Sequence, residues 1–269
     1  MVTFRAMKAY LVQLDIVWRD KNANFEKVSQ MLEGRVEPGS LVVLPEMFAT
    51  GFDVESAGIV EGESGMLAET GAFLAGLAQN LKSYVQGSGI TPAEGGKRQN
   101  LVVAYDPQGQ AIGTYQKLHP FTFGGEHKRF EAGRGGILYP LGEFQVAPFI
   151  CYDLRFPEVF RHAALAGAKV ITVAANWPSA RHAHWLPLLQ ARAIENQCYV
   201  LGVNRVGKDK HLSYCGQSVA FGPRGEQLAL ADEEECVLEV DLNLDAVEAW
   251  RKEFPALQDV RKEFLGLTY

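Results

Sequence analysis

Two hydrophobic rhythms alternate along this chain. Short apolar runs of strand character give way to stretches with helical spacing, and the alternation continues from one end to the other. A first strand is predicted over 9–15. A helix from 22 to about 34 follows, carrying Phe25, Val28 and Leu32 on one face. After the Pro38-Gly39 turn comes a short buried strand, 41–44. A second helix is predicted over 64–81, with Met66, Leu67, Phe73, Leu74 and Leu77 as its apolar stripe, and strands over 84–90 and 100–105 come next. The turn Asp106-Pro107-Gln108-Gly109 makes the following strand, 111–115, antiparallel to its predecessor. Gly222-Pro223-Arg224-Gly225 does the same for 218–221 and 227–230. Between these hairpins, 144–150, a helix from 157 to about 167, and 170–174 read as a βαβ unit of right-handed type. A helix over 183–196 and a strand over 198–203 repeat that pattern, and a late helix over 245–253 precedes a polar tail. Hairpins mixed with βαβ units imply an α/β chain with mixed sheets covered by helices. No Ser/Pro-rich linker, low-complexity tract or fixed-period repeat interrupts them, so a single domain over 1–269 is expected, with 1–6 as a loose start.

Composition narrows the classes. With 47% apolar and 22% charged residues among 269, the chain can bury a sizeable core, which excludes disorder. A net charge of -6 argues against a protein that holds nucleic acid on a broad basic surface. No apolar run approaches the roughly 20 residues of a membrane-spanning helix, and the N-terminus lacks the apolar core of an export signal. A cytoplasmic location is therefore expected. The four cysteines, Cys151, Cys198, Cys215 and Cys236, show no CxxC spacing, so they are read as separate thiols without a metal.

Three reactive residues stand just past apolar strands, where ligands of α/β sheets gather. Glu46 follows LVVLP, Lys117 follows AIGTYQ and Cys151 follows FQVAPFI. Each alone has a plainer explanation: a surface carboxylate, a solvated lysine, a small buried thiol. Together they form a chemical set. A thiol attacks a carbonyl as thiolate, so it needs a base or a cation nearby, and the oxyanion that develops needs a donor. Cys151 also lies where a strand turns into a helix beginning near Pro157, so the backbone N–H of Tyr152 could face that oxyanion.

The segments LPEMFATGF, YQKLHPF and ICYDLRFPE resemble, in that order, the three catalytic signatures of the nitrilase superfamily of carbon-nitrogen hydrolases. The block NWPSARHAHWLPLLQARAIENQCYVLGVNRVG and the hairpin GQSVAFGPRGE extend the resemblance over essentially the whole chain. It implies a four-layer α-β-β-α sandwich with two mixed sheets and outer helices. It also implies Cys151 as nucleophile, Glu46 as general base and Lys117 as partner of the oxyanion, with no cofactor and no metal. A second, supporting glutamate is implied in FTFGGEHKRFEAG, where the spacing to Gly133 favours Glu126 over Glu131. Pro120 departs from the commoner KxHLF form of the lysine signature. His119, Phe121, Arg155, Asn176 and Trp177 are expected in the substrate pocket. The substrate implied is a small ω-amide such as 2-oxoglutaramate or 2-oxosuccinamate. Deaminated glutathione, carbamoyl compounds and nitriles share the same catalytic set. Association into a homodimer or larger assembly is also implied.

Other features have competing explanations. A papain-like Cys-His pair finds no support in the local pattern, although His119, His127, His162, His182 and His184 are available. His182 and His184 stand two apart, so their side chains diverge rather than share an ion. Arg192, Glu195 and Asn196 stand at i, i+3 and i+4, as a buried brace or a solvated face. Cys198, Cys215 and Cys236 are expected in the core. A metal-dependent phosphoesterase of similar layering remains the alternative from another class, and would need clustered Asp, Asn and His ligands instead of Cys151.

Overall fold

The computed structural model describes residues 6–265. Its strands are β1 (Ala6–Gln13), β2 (Leu41–Val43), β3 (Tyr84–Pro92), β4 (Arg98–Tyr105), β5 (Ala111–Gln116), β6 (Tyr139–Leu141), β7 (Phe144–Ile150), β8 (Val170–Ala175), β9 (Tyr199–Asn204), β10 (Val206–Lys208), β11 (Ser213–Cys215), β12 (Val219–Phe221), β13 (Gln227–Leu230) and β14 (Cys236–Asn243). Its helices are α1 (Lys21–Leu32), α2 (Glu69–Leu81), α3 (Glu126–Arg129), α4 (Pro157–Leu165), α5 (Trp185–Asn196) and α6 (Leu244–Glu253). Two six-stranded sheets result, ordered β14-β1-β2-β3-β4-β5 and β13-β12-β9-β8-β7-β6. Both are mixed: β1, β2 and β3 run parallel, as do β7, β8 and β9, while the outer pairs are antiparallel.

The layers follow from which faces are apolar. Alternation in β1 sends Ala9 and Leu11 to one side and Tyr10 and Val12 to the other. Ala9 and Leu11 pack with Leu41 and Val43 against Val146, Val170, Leu201 and Val203 of the second sheet. Tyr10 and Val12 pack under α1 and α2, against Val28, Leu32 and Leu74. On the far side, Phe149, Ile171 and Val173 meet Phe160 of α4 and Trp185 and Leu189 of α5. This is a helix-sheet-sheet-helix sandwich, as expected. It explains why β8 and β9 are buried at every position rather than alternating, since both of their faces are covered. Polar contacts also cross between the sheets: buried Gln86 Oε1 accepts from Tyr139 Oη at 2.8 Å and Thr172 Oγ1 at 2.9 Å.

Several boundaries differ from the sequence expectation. Strand β1 starts at Ala6, which corrects the expected loose start at that residue; residues 1–5 lie outside those described. Helix α2 begins at Glu69 instead of 64, because Gly62 and Gly65 adopt left-handed backbone (φ 71° and 78°) in a turn closed by Glu63 and Met66. Met66 is consequently solvent-facing, 65% exposed, and not part of the helix stripe. Helix α5 begins at Trp185, after a 3-10 turn over Ser179–His184 that is kinked at Arg181. Of the cysteines expected in the core, Cys198 is buried, but Cys215 and Cys236 are only partly so. Cys215 lies in a two-stranded ribbon outside the main sheets, with His182 Nδ1 3.0 Å from its sulfur.

Candidate active site

Strand ends from both sheets converge on one cleft. Glu46 follows β2 and Lys117 follows β5 in the first sheet, while Cys151 follows β7 and Asn176 follows β8 in the second. Lys117 Nζ donates to Glu46 Oε1 at 2.9 Å and to Glu126 Oε2 at 2.8 Å, and all three side chains are buried. Asn100 of β4 fills the gap between the carboxylates, with Nδ2 2.8 Å from Glu46 Oε1 and 3.2 Å from Glu126 Oε1. Both carboxylates also take backbone donors. Glu46 Oε2 accepts from the Asn176 backbone N–H at 3.0 Å, and Glu126 Oε2 from the Phe121 backbone N–H at 2.6 Å. Asn176 Nδ2 donates in turn to the Glu46 carbonyl. Such saturation compensates for burying two carboxylates and an ammonium away from water.

Cys151 sits at the turn out of β7 with φ 44°, a left-handed conformation that costs a non-glycine residue about 1–2 kcal/mol. Downstream, the chain enters a 3-10 turn over Cys151–Arg155 and then α4, with Pro157 at its first position. Burial pushes the Cys151 thiol well above its usual range. Glu46 and Glu126 push in the same direction, against the opposing Lys117 ammonium. For Lys117 itself burial disfavours charge, but Glu126 and Glu46 outweigh it and raise its pKa, so the ammonium persists. A raised thiol pKa favours a protonated resting sulfur at neutral pH, so a reaction through the thiolate would need a neighbouring base. Alkylation of Cys151 by iodoacetamide is therefore expected to keep rising between about pH 6 and about pH 10. A rate that levels off near neutrality, with Cys151 identified as the labelled residue by mass spectrometry, would contradict this.

The cleft above the thiol is open to solvent and, with that open mouth included, spans about 410 Å³. Its walls carry Phe52, Phe121, Trp177 and Leu212, and two guanidinium groups lie at its edge. Arg155 lies over the Trp177 ring at 4.8 Å, and Arg181 over the rings of Phe121 and Phe123 at 5.1 and 5.6 Å. No three His, Cys, Asp or Glu side chains are grouped to hold a metal ion among the described residues.

The family model for carbon-nitrogen hydrolases matches residues 8–252. The chain belongs to the carbon-nitrogen hydrolase family. The hydrolase is 35% identical to the omega-amidase YafV of Escherichia coli, covering 94% of this chain and 96% of that one. It is 31% identical to the 2-oxoglutaramate amidase of Bacillus subtilis, again over 94% and 96% of the two chains. Among solved structures it resembles a CN-hydrolase superfamily protein of Xanthomonas campestris that carries an arsenic adduct in its active site. That match has a TM-score of 0.88 and 33% identity and covers 98% of each chain. The hydrolase is accordingly an enzyme that cleaves carbon-nitrogen bonds of amides.

Most residues singled out in the sequence meet in this cleft. Glu46, Lys117, Glu126, Cys151, Tyr152, Phe121, Arg155, Asn176 and Trp177 line or floor it. Glu126 rather than Glu131 is the carboxylate on Lys117; Glu131 is tied by its backbone to Arg98. His119 does not belong to the pocket. Its ring turns away from the cleft, where it stacks on Phe156 at 3.7 Å and places Nδ1 2.8 Å from Asp153 Oδ1. The site also brings together residues that the sequence did not single out. Asn100 hides in a strand as an ordinary polar position. Arg181, Phe52 and Leu212 reach the cleft from loops. Arg181 was visible in the NWPSARHAHW block, which suggested Trp177 but not its neighbour. The Arg192 brace is present: it pairs with Glu195 at 3.0 Å and donates from Nη2 to the Leu154 carbonyl at 2.8 Å, joining α5 to the turn after Cys151.

Proposed function

We propose that this chain, a single hydrolase domain, releases ammonia from a small ω-amide such as 2-oxoglutaramate or 2-oxosuccinamate through a thioester on Cys151. The observation that carries the mechanism is the buried Glu46-Lys117-Glu126 cluster beside a thiol held at φ 44° on the cleft floor. Glu46 takes the thiol proton as sulfur bonds to the amide carbon. The oxyanion that forms is stabilised by the Lys117 ammonium and the Tyr152 backbone N–H. Glu46 then gives its proton to the leaving nitrogen as the C–N bond breaks, which releases ammonia and leaves an acyl thioester. Water attacks the thioester with Glu46 as base, the proton returns to sulfur, and a carboxylic acid departs. Glu126 keeps Lys117 charged and in place.

The substrate follows from the opposite end of the cleft. Neither Arg155 nor Arg181 has a carboxylate partner among the described residues, and both line a cleft whose walls are otherwise largely apolar. A small amide bearing its own carboxylate would supply that partner, and the names of the Escherichia coli and Bacillus subtilis relatives support the same class. The test is an ammonia-release screen over ω-amides, neutral amides of equal length, carbamoyl compounds and nitriles, with Cys151→Ala as control. The carboxylated ω-amide is expected to lead. Arg155→Gln should then lower kcat/KM for it by about tenfold to a hundredfold, as expected for a lost charge-assisted hydrogen bond, and leave the neutral amide nearly unchanged. Preference for a nitrile or carbamoyl compound would reassign the substrate. We further propose a cytoplasmic homodimer or larger homo-oligomer.

A further inference from the structure

The two loops that carry Lys117 and Cys151 come from different sheets, yet two residues beyond each they are tied together. Asp153 is fully buried and its carboxylate meets four donors. Oδ1 accepts from the His119 backbone N–H at 2.9 Å and faces His119 Nδ1 at 2.8 Å. Oδ2 accepts from Tyr115 Oη at 2.7 Å and the Ile150 backbone N–H at 3.1 Å. A carboxylate oxygen only accepts, so His119 carries its proton on Nδ1. Burial and the Asp153 charge raise the Tyr115 pKa far above its usual range, so the phenol stays a donor. Tyr115 and His119 flank Lys117 in sequence, and Ile150 precedes Cys151.

We propose that Asp153 and His119 are a positioning pair, a strap that fixes the distance between the Lys117 ammonium and the Cys151 sulfur and so sets the rate of attack. The proposal rests on the roles given to Lys117 and Cys151 above. All four bonds to Asp153 end on the segments bearing those two residues, and none reaches the cleft. Reaction rates are sensitive to such spacing, where a displacement of about 1 Å costs on the order of a hundredfold. The strap is also specific to a carboxylate. An amide at position 153 must turn its NH2 toward either the Ile150 N–H or the His119 N–H, placing donor against donor.

The test compares His119→Ala, His119→Asn and Asp153→Asn with the parent. It measures iodoacetamide labelling of Cys151, kcat and KM for a carboxylated ω-amide, and the melting temperature. His119 is the informative position because its side chain is partly exposed, 29%, and its backbone bond to Asp153 survives substitution. His119→Ala is expected to lower kcat and labelling about tenfold or more with little change in KM. In His119→Asn the side-chain amide can replace the Nδ1 donor, and most of both rates should return. Asp153→Asn should be slower than either. Parental labelling and kcat in His119→Ala would overturn the strap. So would His119→Asn behaving no better than alanine, with both rates tracking the melting temperature alone. Labelling needs no amide substrate. If labelling slows as expected while the parent releases no ammonia from any amide, the strap stands and the proposed function fails.

Discussion

Cys151→Ala should release ammonia from the preferred ω-amide at background rate while melting within a few degrees of the parent. The alanine removes the sulfur that bonds to the acyl carbon in the proposed mechanism. Glu46, Lys117, Glu126 and Asn100 keep the hydrogen bonds that join them, because none of these bonds passes through sulfur. Loss of a covalent nucleophile is expected to cost on the order of 10⁴-fold or more in kcat. The stability cost is small for opposite reasons. One sulfur leaves a partly buried position, which amounts to about 1 kcal/mol, and alanine tolerates φ 44° no worse than cysteine. Steady-state ammonia assays with calorimetry decide the matter. Activity within tenfold of the parent would eliminate Cys151 as the nucleophile.

Lys117→Met should damage both activity and stability. Methionine nearly matches the lysine stem in volume but removes the charge between two fully buried carboxylates. Breaking a buried ion pair from one side typically costs about 3–5 kcal/mol, because the remaining charge has no compensation. For a chain of this size that corresponds to a melting temperature lower by roughly 6–20 °C. The double variant Lys117→Met with Glu126→Gln separates the two effects. It should regain much of the stability, with one fewer buried charge, but not the rate, because the oxyanion still lacks one of its two proposed donors, a loss of about 10²–10³ in kcat. Recovery of activity together with stability in the double variant would show that Lys117 serves only to neutralise Glu46 and Glu126.

How much of this was legible in the sequence depended on how each residue is presented. Glu46, Lys117 and Cys151 could be found because each interrupts an apolar run at a strand end, and the strand pattern itself survives in one dimension. Asn100 could not, because a buried polar residue inside β4 follows the same alternation as a solvent-facing one. Its partners lie 54 and 26 residues away in sequence. Arg181 and Leu212 depend on where loops land. His119 shows the converse failure: its place in the lysine signature suggested the pocket, but side-chain direction in a loop is fixed by a partner, here Asp153, which sits 34 residues further along. The early start assigned to α2 failed locally, where an apolar spacing that suited a helix was overruled by two left-handed glycines.

Glu46, Asn100 and Lys117 arrive from strands of the first sheet, Glu126 from α3 beyond it, and the thiol and the guanidinium groups from turns that follow strands of the second sheet. Neither half of the sandwich therefore carries the whole proposed catalytic set, and a partly assembled form is expected to be inactive. Turnover in this fold reports assembly as directly as a spectroscopic probe would. A chain divided between α3 and β6 would offer a complementation assay in which ammonia release measures how completely the two pieces have found their native register.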